Sequence, residues 1–180
     1  MFERSLDDGS ASVRDVLQAE TSLVRGDYAE VLAFLRRTIR VDRSFADFVA
    51  AARARGMTVT VVSSGIERLV RDRLDEIGVG EGEIAIVGND VEPDPSGWRI
   101  IFRDDSPNGT DKAALVRAAR DAGKRTAFIG DGRSDYEVSV ETDERFAKRG
   151  GPLERFLAER DVEYETFSTF ADVTERLASR

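Results

Sequence analysis

The sequence predicts an α/β protein: a Rossmann-like, mainly parallel sheet with helices on both faces, together with a small helical segment ahead of it. Three observations carry this. Short β-branched runs alternate with stretches of helical apolar spacing over residues 57–150, and such alternation makes parallel strands joined by crossover helices. Two of the runs end in loops rich in glycine and oxygen-bearing side chains, Ser63-Ser64-Gly65 and Gly130-Asp131-Gly132, where open α/β sheets place their ligands, beyond the carboxyl ends of the strands. The first third carries helical spacing instead of strand runs.

Taken in order, Val13, Val16, Leu17, Leu23 and Val24 form one apolar face behind a cap at Ser12, and Gly26-Asp27 separates it from a second face of Tyr28, Val31, Leu32, Leu35 and Ile39. A third helix starts near Asp42 to Ser44, carries Phe45, Phe48, Val49 and Ala52, and ends at Arg55-Gly56. Met57 to Val62 reads as a buried strand, with the serine pair and Gly65 as its punctuation. Ile66, Leu69, Val70, Leu74 and Ile77 return to helical spacing up to Gly78, and Glu83 to Val87 is a strand. Val91 to Phe102 holds Pro93, Asp94, Pro95 and Gly97 between extended stretches, which predicts a hairpin or a β-excursion. A helix runs from Thr110 to Ala122, a buried strand covers Arg125 to Ile129, and a helix follows to about Glu141. Arg145 to Lys148 is a last short strand, with helices from Pro152 and from Phe170. The expected division is a helical piece at 1–42 and an α/β core at 43–180.

Composition narrows the chemistry. The 180 residues suit one domain, or one domain with a small appendage. Thirty-five acidic against 27 basic residues, a net charge of -8, argue against a nucleic-acid partner. There is no cysteine and no histidine, which removes disulfides, thiolate nucleophiles, imidazole bases and His-ligated metals. What remains is carboxylate, lysine and hydroxyl chemistry, and any metal would be a hard, oxygen-bound ion. No stretch approaches the roughly 20 apolar residues of a membrane span, and MFERSLDDGS is not a signal peptide, so no membrane partner and a cytoplasmic setting are expected.

Three places can carry that chemistry, and each has a plainer reading. Ser63-Ser64-Gly65 enters a helix whose free N–H groups attract anions, while Ser64 with Glu67 also spells a capping box. Gly130-Asp131-Gly132-Arg133-Ser134-Asp135 offers two carboxylates that can bind one magnesium, while Asp131 also suits an Asx turn and Ser134 with Glu137 a capping box. Lys112 lies in a first helical turn, against the dipole by roughly 0.3–1 kcal/mol. By itself it reads as an exposed lysine beside Asp111, although only three lysines occur in the chain.

Together, a hydroxyl after one strand, a lysine opening a helix and an acidic pair after a later strand are complementary parts for holding a phosphoryl group with a metal. Their order resembles the haloacid dehalogenase superfamily of phosphatases. Val61-Val62-Ser63-Ser64-Gly65 is similar to its second motif, Lys112 to its third, and Gly130-Asp131-Gly132-Arg133-Ser134-Asp135 to its fourth. The helical segment ahead of Ser63 resembles the small cap of the phosphoserine-phosphatase-like branch. Ser106-Pro107-Asn108-Gly109 and Arg145-Phe146-Ala147-Lys148 are similar to the subgroup holding the methionine-salvage phosphatase. The resemblance implies Mg2+ as cofactor and a small phosphorylated metabolite as substrate. It implies that Ser63, with Ser64 and Gly65, and Lys112 bind the phosphoryl group, and that Asp131 and Asp135 serve the metal.

The family's first motif, a hydrophobic strand ending in Asp-x-Asp with the nucleophile, has no counterpart. Asp7-Asp8 follows a stretch too short and polar for a buried strand, and Asp104-Asp105 comes after the second motif. The expectation is therefore a core without its first, central strand, with ladder groups unpaired between its neighbours, and negligible turnover. The expectation is that the sequence begins late, through truncation or a misplaced start, and has lost roughly one strand and one loop, with natural degeneration as the alternative. The alternatives in function are a non-catalytic phosphate- or metabolite-binding protein and a plain interaction domain whose capping boxes imitate motifs.

Overall fold

A computed structural model describes residues 10–179; Asp7-Asp8 lies outside them. The chain is mixed α/β and falls into two compact units, one holding the chain up to Arg43 together with Thr58–Thr110, the other Ser44–Met57 and the chain from Asp111 onward.

The first unit contains helices α1 (Val13–Ser22), α2 (Tyr28–Thr38) and α4 (Glu67–Asp75), and strands β1 (Thr60–Ile66), β2 (Ala85–Glu92) and β3 (Arg99–Ile101). Helix α1 starts at the expected cap, Ser12, and α2 is capped by Asp27, expected only as part of the break before it. The Ser12 hydroxyl accepts from the Asp15 N–H and the Asp15 carboxylate from the Ser12 N–H, and Asp27 and Glu30 repeat the exchange. Their apolar faces are shorter than expected. Leu23 and Ile39 lie past the last helical turn and are 60% and 54% exposed. Trp98, 2% exposed, donates its indole N–H to the Gly26 carbonyl at 2.8 Å and stacks with Tyr28. It thereby ties the expected hairpin to the turn between α1 and α2.

The sheet of this unit has the order β1-β2-β3, with β1 and β2 parallel and β2 and β3 antiparallel. Here the sequence reading needs two corrections. The strand expected at 57–62 begins later and runs through the serines to Ile66, and Met57 is 45% exposed. It is also not a buried strand: Val61 and Val62 are half-buried, because among the described residues β1 pairs with β2 alone. Its register slips at the serines, where Val62 faces Val87 but Ile66 faces Asn89. Three residues of β1, Ser63 to Gly65, thus oppose the single Gly88, a bulge that lifts them out of the ladder.

The second unit contains α3 (Ser44–Ala54), α5 (Lys112–Asp121), α6 (Tyr136–Glu141), α7 (Pro152–Glu159) and α8 (Phe170–Ala178), with β4 (Ala127–Gly130), β5 (Glu144–Lys148) and β6 (Glu165–Phe167). Its three strands are all parallel, in the order β4-β5-β6. The strand expected at 125–129 starts two residues later, and only Phe128 of β4 is buried, since among the described residues this strand pairs with β5 alone. Strand β6 was not expected; it is three residues long, flanked by charge, and carries one buried side chain, Phe167. Phe45 and Phe48 of α3 pack on Phe170 of α8, with ring centroids 4.8 and 5.2 Å apart, so the periodicity of α3 marks a true core face. Among the described residues no strand precedes β1, and no helix is long and apolar enough to cross a membrane.

Candidate functional site

The Ser63-Ser64-Gly65 segment belongs to the first unit and is held by neutral hydrogen bonds. The Gly65 N–H donates to Ser63 Oγ at 3.0 Å, the local turn that the bulge makes possible. Ser64, 8% exposed, donates its hydroxyl to the Asn108 carbonyl at 2.7 Å. Asn89, fully buried inside β2, donates its amide to the Ser64 carbonyl at 2.8 Å and accepts from the Arg103 N–H at 2.9 Å. Thr110, 1% exposed, donates to the Ser63 carbonyl at 3.1 Å. The capping-box reading of Ser64 and Glu67 is therefore wrong in detail. The residue that caps α4 is Ile66, without a side-chain bond, the Ser64 hydroxyl is spent on the 102–110 loop, and the Glu67 carboxylate accepts from the Gly88 N–H. Ser63, half-buried, keeps its hydroxyl proton for another acceptor.

The loop 102–110 is itself strapped down. The Arg14 N–H donates to the Pro107 carbonyl at 2.9 Å, and the Arg14 guanidinium lies 3.9 Å from the centroid of the Phe102 ring while donating to the Asp104 carbonyl. Asn89, Thr110 and Arg14 were not singled out in the sequence. A signal existed for Asn89: asparagine is depleted in strands, and one embedded in a predicted strand continuation must be hydrogen-bonding something.

The second unit holds Lys112, Asp131 and Asp135, and here charge does the organising. Lys112 opens α5 but is 8% exposed. Its ammonium donates to Asp135 Oδ1 at 2.6 Å and to Ser134 Oγ at 2.8 Å. The expectation of an exposed lysine balanced by Asp111 is overturned: Asp111 caps α5 through the Ala114 N–H and pairs with Arg117. The other Asp135 oxygen accepts the backbone N–H groups of Asp131 and Gly132, both at 2.9 Å. One buried carboxylate thus fixes both the lysine and the loop. Gly130 is what lets it come so close, since a Cβ there would stand 2.6 Å from Asp135 Oδ2. The Ser134–Glu137 capping box does not form; a 3-10 turn at Arg133–Asp135 leads into α6.

As metal donors the two aspartates differ. Asp135 accepts three hydrogen bonds, which leaves about one free lone-pair direction on its carboxylate. Asp131 is exposed, and its carboxylate has no partner among the described residues, while its carbonyl accepts from the Leu153 N–H. Among the described residues no three carboxylates cluster. A single free carboxylate on a glycine-flanked loop still suits magnesium, which takes one or two carboxylates and completes its shell with water and substrate phosphate.

Comparison with known proteins bears on both units. The family model of haloacid dehalogenase-like hydrolases matches residues 3–139. The chain is 34% identical over 173 residues to the Pdp3-interacting factor 1 of Schizosaccharomyces pombe, covering 92% of this chain and 76% of that protein. It is 32% identical to the polyol phosphate phosphatase PYP1 of Saccharomyces cerevisiae, covering 96% and 77%. It is 30% identical to the 2-hydroxy-3-keto-5-methylthiopentenyl-1-phosphate phosphatase of Geobacillus kaustophilus, covering 82% and 68%. In fold it is similar to a substrate-bound phosphoserine phosphatase, with a TM-score of 0.71 at 16% identity over 97% of this chain and 81% of that one.

Proposed function

Because the chain belongs to the haloacid dehalogenase-like hydrolase family, we propose that its site is that of a phosphatase acting on a small phosphorylated metabolite with magnesium. The observation that carries the reading is the Lys112 ammonium, buried and aimed by Asp135 and Ser134. A cation fixed in a low-dielectric setting is suited to neutralise charge growing on a phosphoryl group, because it needs no reorganisation during the reaction. Ser63 would donate its hydroxyl to a phosphoryl oxygen, with the Gly65 N–H holding that hydroxyl in place. Asp131 would hold Mg2+, with Asp135 as a second ligand or as the holder of a water on the ion. When bound, the ion supplies Lewis-acid neutralisation of a phosphoryl oxygen. The helices of the 1–42 segment would act as a cap that excludes water. Polyol phosphates and a methylthiopentenyl phosphate, the substrates named for two relatives, define the class to try first, and a cytoplasmic setting suits such metabolites.

By the family resemblance an aspartate attacks phosphorus and forms an aspartyl-phosphate that water discharges. The sequence contains no Asp-x-Asp, so this chain is proposed to hold the phosphoryl group while turning it over negligibly. The second reading is a non-catalytic phosphate- or metabolite-binding protein. Calorimetric titration of the chain with inorganic phosphate in Mg2+ should show saturable binding, weakened about tenfold in Ser63→Ala, the loss of one charge-assisted hydrogen bond. Binding that ignores magnesium and Ser63 would remove the proposed site. Phosphate release from phosphoserine and polyol phosphates separates the readings: sustained Mg2+-dependent release belongs to an enzyme, ligand binding without it to the binder.

A further inference from the structure

The first unit carries cationic donors that the proposed phosphoryl site does not use. Arg68 and Arg71 stand one turn apart on α4, on the same face. With Arg103, just past β3, they line a cavity of about 630 Å³. Arg68 Nε and Arg71 Nη1 are buried and make no hydrogen bond. The nearest carboxylates do not serve them. Asp90 Oδ1 stands 3.5 Å from Arg68 Nε, and Asp75 Oδ1 3.9 Å from Arg71 Nη1, ion-pair separations too long or too bent for a hydrogen bond.

Both guanidinium groups are nevertheless held in place. Arg68 lies 4.6 Å from the Tyr28 ring centroid and donates through Nη2 to the Val91 carbonyl, and Arg71 donates through Nη2 to the Ile84 carbonyl at 3.4 Å. Packing thus fixes two buried nitrogen positions that have no hydrogen-bond acceptor, on side chains that are 41% and 23% exposed and keep longer ion pairs with Asp90 and Asp75. Three carboxylates, Glu67, Glu81 and Asp90, share the lining. Two of them accept backbone N–H groups, Glu67 from Gly88 and Asp90 from Val91, and Asp90 also pairs with Arg68 at 3.5 Å. Arg103 is exposed at the rim.

We propose that this cavity binds a small oxyanion, with Arg68 Nε and Arg71 Nη1 as its buried donors and Arg103 closing over it from the rim. Phosphate and the carboxylate of a metabolite share the required chemistry. The proposed donors are other residues than Ser63 and Lys112, and the proposal does not depend on the phosphatase reading. It is tested on the full chain labelled with 15N-arginine, titrated in parallel with inorganic phosphate and with succinate while the Nε–H resonance of Arg68 is followed. A saturable shift is expected with one or both anions, and the arm that responds identifies the source. Arg71→Gln and, at the exposed rim, Arg103→Gln should each weaken the response about tenfold, as for a lost charge-assisted bond. Ser63→Ala should leave it unchanged. An Arg68 resonance silent to both anions, or a response unaltered by Arg103→Gln in a folded chain, overturns the proposal. Loss of the Ser63-dependent phosphate binding alone would count against the phosphatase reading and leave this one standing.

Discussion

The loop at Ser63–Gly65 and the loop at Gly130–Asp135 carry comparable chemistry on opposite principles of construction. The first is fixed by neutral groups spread over Asn89, Asn108 and Thr110. Each such bond contributes about 1 kcal/mol net, so the burden is shared. The second converges on one buried pair, Lys112 and Asp135, whose side chains are 8% and 7% exposed. Desolvation there is large and is offset only while every partner is present. The difference teaches that a shared neutral network fails gradually, whereas a charged hub fails at once.

The sharpest way to break that contrast is to remove the hub. Asp135→Ala strands the Lys112 ammonium and two backbone N–H groups, and is expected to lower unfolding free energy in urea by about 3–5 kcal/mol, the cost typical of an orphaned buried charge. The double change Lys112→Met with Asp135→Leu should recover only the part of that loss due to the orphaned ammonium, because the Asp131 and Gly132 N–H groups still lack their acceptor. A single-variant loss below about 1 kcal/mol, the scale of one neutral hydrogen bond, would place the two loops on the same footing. Ser64→Ala is the matching cut in the neutral network. It frees only the Asn108 carbonyl and should cost about 1 kcal/mol, read from the same urea curves. A larger loss than in Asp135→Ala would reverse the comparison.

The smallest expected effect concerns pH in the first unit. Burial, and then the hydrogen bond to Asp72 Oδ2 at 2.6 Å, hold the Tyr28 phenol well above its ordinary pKa of 10.0. A raised folded pKa means that the native state keeps a proton the unfolded chain has lost, so this stability is present below about pH 10 and declines as pH rises beyond it. Tyr28→Phe should flatten that alkaline decline in urea midpoints measured between pH 8 and 11. An unchanged slope would show that another group sets it.

Much of this was legible in the sequence where local chemistry decides. Ser12 and Asp27 start their helices because their own side chains cap them, and the core face of α3 follows from spacing alone. What escaped depended on partners far along the chain. Lys112 read as exposed because its counterion stands 23 residues away, whereas Asp111 stands beside it. The extent of β1 was misjudged because its end is set by Ile66 pairing with Asn89 of β2 beyond the bulge at Ser63–Gly65, not by β propensity. Strand β6 has three residues and one buried side chain, too few for any period to show.

Trp98 is the chain's sole tryptophan and sits against Tyr28 and the Gly26 carbonyl within the first unit. Its intrinsic fluorescence is therefore a private reporter of that unit, blind to events confined to the parallel sheet of the other. Emission and far-ultraviolet circular dichroism, followed together through one denaturation, would coincide if the two units melt as a single cooperative block and diverge if either lets go first.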